Sequence, residues 1–274
     1  MKIWVGDRLF DRDEARVSVL DHGFTVGDGV FETIKTIDGV PFALARHLDR
    51  LERSAVGMLL QVPERARLIS AIASVLSANP VPGLGRLRLT WTGGIGPSGS
   101  GRDPAAEPTL VITHMPTTSW AERAKIVTVD FPRNERSPLA GIKSTSYAEN
   151  VLALAFANEK GADEAIFGNT RGELCEGTGS NIFLVVGEEL LTPPLSSGCL
   201  PGITRSLAIE WCGAREIAMP ISVLMEAEEI LLASTTRDLQ TVGQVNARIM
   251  PPATRRGREA KDAFAANAGT RLDP

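Results

Sequence analysis

The sequence contains few of the side chains on which metal chemistry depends. It has three histidines and three cysteines among 274 residues. His22, His47 and His114 are widely separated, and neither an H-E-x-x-H nor a G-x-S-x-G motif occurs. Zinc hydrolases and serine hydrolases are therefore disfavoured, and no metal site is expected.

The cysteines are too few and too irregular for a structural framework. Cys175, Cys199 and Cys212 are an odd number and show no C-x-x-C spacing. We therefore expect semi-buried free thiols, with neither a disulfide framework nor a zinc knuckle.

A basic excess and a long apolar run are also missing. Lys plus Arg number 29 against 33 Asp plus Glu, for a net charge of −4, so no nucleic-acid partner is expected. Charges from Asp7 to Glu14 interrupt the region where a signal peptide would be apolar. The charge-free stretch 68–85 contains serines and prolines, which is unlike a membrane span. We expect a cytoplasmic protein without a membrane partner.

What is present indicates a folded chain of mixed α/β (α+β) class. Hydrophobic residues make up 43% and charged residues 23%, and short β-rich runs alternate with helical runs. We predict a small amino-terminal domain over residues 1–114, a connector over 115–124 and a larger carboxy-terminal domain over 125–274.

In the first half, the patterning predicts antiparallel strands and two helices. The runs KIWV, VFETIKTI and PFAL resemble strands, and Asp38-Gly39 between the last two is a hairpin signal. RLRLTW and TLVITH are further strands. Helices are predicted over 46–60, with Leu48, Leu51 and Leu59 on one apolar face, and over a second segment that ends before Pro80.

In the second half, strands and helices alternate more tightly. KIVTVDF, EAIFGN, NIFLVV and EEILLAS are predicted strands. Ser146 and Glu149 form a capping-box pattern, which predicts a helix that ends at Lys160 before Gly161. Another helix is predicted from Ile203 to about Trp211.

The glycine-rich segment GGIGPSGSG contains a formal G-x-G-x-x-G. A dinucleotide fold would need a helix to begin there, and Pro97 and Pro104 oppose one. We interpret the segment as a false positive for a nucleotide fingerprint and as a mobile loop, a candidate lid over a site.

Three residues of the second half point to one chemistry. Lys143 stands just before a helix start, Tyr147 is the only tyrosine, and Glu176 precedes Gly-Thr-Gly-Ser-Asn and an apolar strand. Pyridoxal phosphate chemistry uses a lysine for a Schiff base, a carboxylate for the pyridine nitrogen and a phenol for the ring oxygen. Each residue taken alone has a structural explanation, but the three together favour this cofactor.

A phosphate group would need its own set of donors. PGITR places the amides of Ile203 and Thr204 at a helix start, Thr235 offers a hydroxyl at a strand end, and Arg50 offers a cation. Thr204 could alternatively serve as a plain helix cap and Arg50 as a surface residue.

The sequence resembles the class IV aminotransferases of fold type IV, a group that includes D-amino-acid and branched-chain aminotransferases and aminodeoxychorismate lyases. Six motifs in family order carry the resemblance over nearly the whole chain. They are GDGVFET at 27–33, HLDRL at 47–51, IKSTSY at 142–147, EGTGSNIF at 176–183, LPGITR at 200–205 and STT at 234–236.

The resemblance implies a role for each matching residue. Lys143 would be the catalytic Schiff-base lysine and proton shuttle, Glu176 the partner of the pyridinium nitrogen, and Tyr147 the support of the phenolate oxygen. The phosphate would be held by Arg50, Ile203, Thr204 and Thr235. The resemblance also implies a small α/β amino-terminal domain, a pseudobarrel carboxy-terminal domain and a homodimer with active sites near the interface.

The substrate is expected along two strands of the first half. Alternation puts Phe31, Thr33 and Lys35 on one face of VFETIK, which the family analogy turns toward the cofactor. Lys35 and Arg88 would then bracket a substrate carboxylate, with Thr236 also at the substrate; the alternative is that Arg86 and Arg88 face solvent. The R-x-H carboxylate trap of typical D-amino-acid aminotransferases is absent.

Two reactions remain open. The first is transamination between an amino acid, of either the L or the D series, and a 2-oxo acid. The second is release of pyruvate and p-aminobenzoate from 4-amino-4-deoxychorismate. We favour the transaminase because Ser234-Thr235-Thr236 resembles the transaminase version of that motif. A non-catalytic binding protein would leave Lys143 and Glu176 unexplained.

Overall fold

The computed structural model describes all residues from Met1 to Pro274 and divides them into two compact units. Unit 1 comprises Met1–Thr118, Ile142–Tyr147 and Leu272–Pro274, and unit 2 comprises Ser119–Gly141 and Ala148–Arg271. The segment that carries Lys143 thus belongs to the unit formed mainly by the first half of the chain. The sequence-based division places it after residue 125, with the second half.

Unit 1 is built on a sheet of six antiparallel strands in the order β2-β1-β6-β5-β3-β4. The strands are β1 Lys2–Val5, β2 Arg8–Asp11, β3 Gly29–Ile37, β4 Val40–Pro41, β5 Leu84–Thr92 and β6 Leu110–Pro116. Asp38 and Gly39 both have positive φ, as a two-residue hairpin turn requires, and Ile37 pairs with Val40. The predicted hairpin is confirmed.

Three helices belong to unit 1. They are α1 His22–Thr25, α2 Leu44–Gly57 and α3 Arg65–Ala78. Leu48 and Leu51 of α2 are buried and pack with Leu68 of α3 and with Ile34 and Leu87 of the sheet. The prediction that Leu59 shares this apolar face is wrong, because α2 ends at Gly57 and Leu59 is 84% exposed.

The glycine-rich segment between β5 and β6 begins no helix, which agrees with its interpretation as a false nucleotide fingerprint. Its neighbours hold it at several points. His22 Nε2 lies 2.9 Å from the carbonyl oxygen of Pro97, and Gly96 donates to the carbonyl of Leu20. Arg102 makes two hydrogen bonds to Asp28. The lid role stays a prediction.

Unit 2 is built on a mixed sheet in the order β12-β11-β10-β13-β14-β7-β8-β9, with β15 paired to β14. The strands are β7 Arg123–Thr128, β8 Glu164–Gly168, β9 Leu174–Gly177, β10 Asn181–Val186, β11 Glu189–Thr192, β12 Arg215–Glu216, β13 Glu229–Ser234, β14 Asp238–Val245 and β15 Arg248–Ile249. Gly177 of β9 donates its amide to the carbonyl of Ser180, just before β10. This contact brings one end of the sheet back to its middle, so the sheet curls into a half-barrel.

The helices of unit 2 are α4 Ala148–Glu159, α5 Ile203–Cys212 and α6 Arg255–Thr270. Helix α4 begins two residues after the predicted cap, and the Ser146 hydroxyl donates to the carbonyl of Gly27. Gly213 ends α5 in the left-handed conformation, as expected. None of the helices is both long and apolar enough to cross a membrane.

The three cysteines are free, as predicted, but they are fully buried and not semi-buried. Burial raises the pKa of Cys199 and of Cys212 to about 11. These thiols therefore stay protonated at neutral pH and behave as small apolar side chains.

Candidate active site

The segment that carries Lys143 runs beside the start of β3. The amide of Phe31 donates to the carbonyl of Lys143 at 2.9 Å, and the amide of Thr145 donates to the carbonyl of Gly29 at 2.7 Å. Two backbone hydrogen bonds in alternate directions fix the segment as a short antiparallel neighbour of the strand. Lys143 is thereby held next to Phe31.

The ring of Phe31 is the centre of a cluster in unit 1. Lys143 Nζ lies 4.4 Å and Arg88 Cζ 3.6 Å from the ring centroid, and the Tyr147 ring meets it edge-on at 5.4 Å. These are cation–π and aromatic contacts of ordinary geometry. Four residues that the sequence proposed for cofactor or substrate binding therefore lie together.

Arg88 forms no ion pair with a carboxylate of the protein, although Glu32 attracts its charge from a greater distance. It is half-buried, its Nε lies 3.5 Å from the hydroxyl of Thr90, and no acidic side chain is within ion-pair distance of it in any of the 274 residues. Burial lowers the pKa of Arg88, although the group stays cationic at neutral pH. A half-buried arginine without an acidic partner is suited to receive an anion.

The other predicted substrate residues of unit 1 differ in their surroundings. Thr33 is half-buried and lies opposite Arg88 in the β3–β5 register. Lys35 is buried, and its Nζ lies 4.9 Å from the ring centroid of Phe42. Arg86 is exposed, so the solvent-facing alternative describes Arg86 and not Arg88.

Arg50 is buried and belongs to an ionic network of unit 1. Its Nε and Nη2 donate to the two oxygens of Glu32 at 2.8 and 2.7 Å, and His47 Nδ1 lies 2.7 Å from Glu32 Oε2. This two-point contact fixes the plane of the guanidinium. The alternative of Arg50 as a surface residue is wrong, since only 4% of it is exposed.

The network shifts the pKa values of its members. Burial by itself would raise the pKa of Glu32, but the charges and hydrogen bonds of Arg50 and His47 outweigh it and hold the pKa at about 2. Burial lowers the pKa of His47, and the charges of Arg50 and Lys143 act in the same direction against the attraction of Glu32. Glu32 is therefore a carboxylate and His47 a neutral imidazole at pH 7.

Sequence reasoning did not identify Glu32 and His47. A signal for both was present: Glu32 alternates with Phe31 on an apolar strand, and His47 and Arg50 are three residues apart on one helix face. A charged residue in an otherwise buried strand indicates a nearby partner of opposite charge.

In unit 2, Glu176 lies on β9 and is half-buried. Its Oε2 accepts a hydrogen bond from the amide of Leu200 at 2.9 Å, and its Oε1 lies 3.6 Å from Arg133 Nε. Arg133 also bonds to Asn150 and packs over the ring of Phe167. Arg133 is therefore the cationic neighbour of this half-buried carboxylate.

The start of helix α5 presents backbone amides without a side-chain cap. Gly202 is its N-cap, and a Cβ at this position would lie 1.9 Å from Asn181 Oδ1. Ile203 and Thr204 are buried in its first turn. Uncapped amides at a helix start favour an anion, so the first turn has the chemistry of a phosphate site. The alternative of Thr204 as the N-cap is wrong, because Gly202 holds that position.

Thr235 and Thr236 lie in the turn between β13 and β14. The indole Nε1 of Trp120 donates to the hydroxyl of Thr236 at 3.1 Å. Both threonines are half-buried. The turn thus presents hydroxyl groups at the end of a buried strand, as the sequence predicted for Thr235.

Metal chemistry finds no support in either unit. Nowhere among the 274 described residues do three or more histidine, cysteine or acidic side chains come together as metal ligands would. The polar groups of the candidate residues are an amine, a phenol, a carboxylate, a guanidinium and helix-start amides.

Comparisons with known proteins place the chain in a family of enzymes. The family described as amino-transferase class IV matches residues 29–245. A putative branched-chain-amino-acid aminotransferase of Methanocaldococcus jannaschii is 33% identical, over 91% of this chain and 90% of its own. An aminodeoxychorismate lyase of Bacillus subtilis is 29% identical, over 85% and 80% of the two chains.

A solved structure extends the likeness to the fold. A branched-chain aminotransferase of Thermoproteus uzoniensis superposes with a TM-score of 0.90 at 29% identity, covering 98% of this chain and 95% of the other. The chain belongs to the class IV aminotransferase family. The predicted family and the fold type IV architecture are confirmed. Members of this family are pyridoxal-phosphate-dependent enzymes that act on amino acids and 2-oxo acids.

Proposed function

We propose that the protein is a transaminase that moves an amino group between an α-amino acid and a 2-oxo acid, with Lys143 as the catalytic amine. The observation that carries the proposal is the cluster on Phe31. The Lys143 amine and an arginine without an ion-pair partner, Arg88, lie against one aromatic ring, at 4.4 and 3.6 Å from its centroid. An amino acid needs both groups: a base for its α-carbon and a cation for its carboxylate.

The residues of the chain fit pyridoxal 5′-phosphate, group by group. The Lys143 amine would attach the cofactor, Tyr147 would face its phenolic oxygen, and the Glu176 carboxylate would pair with its ring nitrogen. Ile203, Thr204, Thr235 and Arg50 would bind the phosphate. The uncapped first turn of α5, closed to any Cβ at Gly202, is the observation that best fits a phosphate group. When bound, the cofactor supplies an electron sink for charge that develops at the substrate α-carbon.

The chain's own residues then have separable tasks. Lys143 Nζ takes the proton from the substrate α-carbon and later returns a proton. Arg88 holds the substrate carboxylate and so orients the C–H bond toward the amine. Phe31 keeps this region apolar, and Thr33, Lys35 and Thr236 complete the proposed substrate contacts. Glu32, itself in contact with His47, would hold the Arg50 guanidinium in place for the phosphate.

The aminodeoxychorismate lyase reaction is the second candidate. A relative with that name covers 85% of the chain, and two cationic side chains, Lys35 and Arg88, lie on neighbouring strands of the same sheet. A substrate with two carboxylates suits two cations. Ser234-Thr235-Thr236 remains the reason to favour the transaminase.

One assay distinguishes the candidates. The protein, reconstituted with pyridoxal 5′-phosphate, is incubated separately with D-alanine, L-leucine and aminodeoxychorismate. Conversion of the bound cofactor to its amine form by an amino acid, with the matching 2-oxo acid as product, supports the transaminase. Release of pyruvate and p-aminobenzoate supports the lyase, and no reaction with any of the three contradicts both.

We also propose that the working form is a homodimer, as the family resemblance implies. Leu20, Phe24 and Ile95 of unit 1 are large apolar side chains that are 53–74% exposed, and the backbone joins their segments through an Asp21–Ile95 bridge. An exposed apolar patch of this kind is typical of a protein contact. Light scattering should give the mass of two chains, and a stable monomer would reject the proposal.

A further inference from the structure

Two turns of unit 2 are tied together by one buried carboxylate, that of Glu164. The first turn, Thr178–Ser180, joins β9 to β10 and begins two residues after Glu176. The second turn, Thr235–Arg237, joins β13 to β14 and contains Thr235. The two turns are more than 50 residues apart in sequence, and Glu164, the first residue of β8, contacts both.

One oxygen of Glu164 holds the first turn. Oε1 accepts hydrogen bonds from the Thr178 hydroxyl at 3.0 Å, from the Gly179 amide at 2.6 Å and from the Ser180 hydroxyl at 3.1 Å. A Cβ on Gly177 would lie 2.7 Å from the same oxygen. The glycine before the turn therefore leaves room for the carboxylate, which organises the whole turn.

The other oxygen of Glu164 holds the second turn. Oε2 accepts from Arg237 Nη2 at 2.5 Å, and the side chains of Arg237 and Glu164 are only 4% and 2% exposed. The Arg237 guanidinium also packs over the ring of Trp120 at 3.6 Å, and the same indole donates to the Thr236 hydroxyl. Arg237 is thus fixed on two sides.

We propose that Glu164 is a positioning residue that fixes the Glu176-bearing segment and the Thr235-bearing turn relative to each other. The consequence for ligand binding rests on the proposed function, in which Glu176 and Thr235 bind the two ends of one cofactor. A buried carboxylate whose hydrogen bonds are all satisfied is rigid, and loss of either charged partner leaves the other buried and unpaired. A change at Arg237 is therefore transmitted to Gly179 through Glu164.

The first experiment uses the cofactor-free protein and measures amide hydrogen exchange by mass spectrometry. Arg237→Met keeps the apolar stem over Trp120 and removes the cation. Arg255→Met is the matched control, because Arg255 lies in the same unit in an exposed pair with Glu188 and Glu259. We expect exchange in the peptide containing Gly179 to become about tenfold faster or more in Arg237→Met and to stay unchanged in the control. Equal exchange in the two variants overturns the proposal.

The second experiment measures the dissociation constants of pyridoxal 5′-phosphate and of pyridoxal, which lacks the phosphate, with the same proteins. We expect Arg237→Met to weaken binding of pyridoxal 5′-phosphate by about tenfold or more and binding of pyridoxal much less, because Arg237 lies in the same turn as Thr235, which would contact the phosphate. A general loss of stability would lower the affinity for both ligands alike, and that result overturns the positioning role. Arg237→Lys, which keeps the charge, should restore part of the preference.

Two further controls keep the result interpretable. If a single variant fails to fold, the double variant Glu164→Gln with Arg237→Met leaves no buried charge unpaired and should fold. Faster exchange at Gly179 in the double variant supports the proposal, and exchange like that of the wild type overturns it. If the wild-type protein binds no pyridoxal phosphate, the proposed function fails, while the exchange experiment still tests the link between the turns.

Discussion

At the scale of single residues, Arg88 is the group of the Phe31 cluster that we propose to bind the substrate carboxylate. Its guanidinium has the ring on one side and no acidic partner, so its charge is available to an incoming carboxylate. Lys143 on the same ring is the group that would act on the bound molecule. In the proposed function, the pair would provide both recognition and proton transfer with two side chains of one unit.

Replacing Arg88 by leucine should reduce kcat/KM for amino acids about ten- to a hundredfold. The lost contact is a charge-assisted hydrogen bond to a carboxylate, worth about 1.5–3 kcal/mol. The steady-state kinetics of Arg88→Leu and of Arg86→Leu, its exposed neighbour on the strand, should be compared. Amines without a carboxylate should be affected little, and equal losses for acids and amines would assign Arg88 to support of the strand.

The ionic network of Arg50 belongs to the same scale, and it should make the stability of the fold depend on pH in the acid range. The pKa of Glu32 falls from 4.5 to about 2 on folding, so its stabilisation is complete above pH 4.5 and is lost as pH falls toward 2. The pKa of His47 is also lowered, so the unfolded chain binds its proton first and stability begins to fall below about pH 6.5.

We therefore expect the free energy of unfolding to decrease steadily from pH 6.5 to pH 3. The Glu32 shift alone corresponds to about 3 kcal/mol. Urea unfolding of the wild type and of Glu32→Gln with His47→Gln across this range provides the measurement. In the double variant, the free energy of unfolding should depend much less on pH. An unchanged dependence would show that other groups cause the loss of stability at low pH.

At the scale of elements, the start of α5 depends on a glycine. The side-chain amide oxygen of Asn181, Oδ1, approaches Gly202 so closely that a Cβ there would lie 1.9 Å from it. Asn181 also donates to the carbonyl of Leu200, so it holds the chain just before the helix. The direction in which the Ile203 and Thr204 amides point is fixed by this contact.

Replacement of Gly202 by alanine should displace the first turn of α5 and weaken pyridoxal phosphate binding by about tenfold or more, since helix-start amides bind anions only when aligned. Gly269→Ala on helix α6 is the control, because its Cβ meets nothing within 4 Å and alanine favours a helix. Titration of the two cofactor-free variants with pyridoxal phosphate measures both affinities. Unchanged affinity in Gly202→Ala would remove α5 from the proposed phosphate site.

At the scale of the whole molecule, the sequence predicts local elements better than long-range partners. The β3–β4 hairpin and the end of α5 were predictable because turn and cap residues act on their own neighbours. Helix α6 was not predicted, because its apolar positions are sparse among charged residues. Strand β9 was missed because it has four residues and includes Glu176.

The same distinction applies to the candidate site. Lys143 and Tyr147 stand in one short segment, so their proximity could be inferred from sequence. The contact of that segment with Phe31 depends on backbone pairing over more than 100 residues. The partners Glu32 for Arg50 and Glu164 for Arg237 likewise follow from register and packing, which no local pattern encodes.

The central claim is that the Lys143 amine attaches and serves the cofactor. The most direct measurement reduces the reconstituted protein with borohydride, digests it and locates the pyridoxyl group by mass spectrometry. The account predicts a yellow protein before reduction, a single label on Lys143 and no label in Lys143→Ala, which should remain folded and inactive. A label on another lysine, or a protein that stays colourless with added pyridoxal 5′-phosphate, would contradict it.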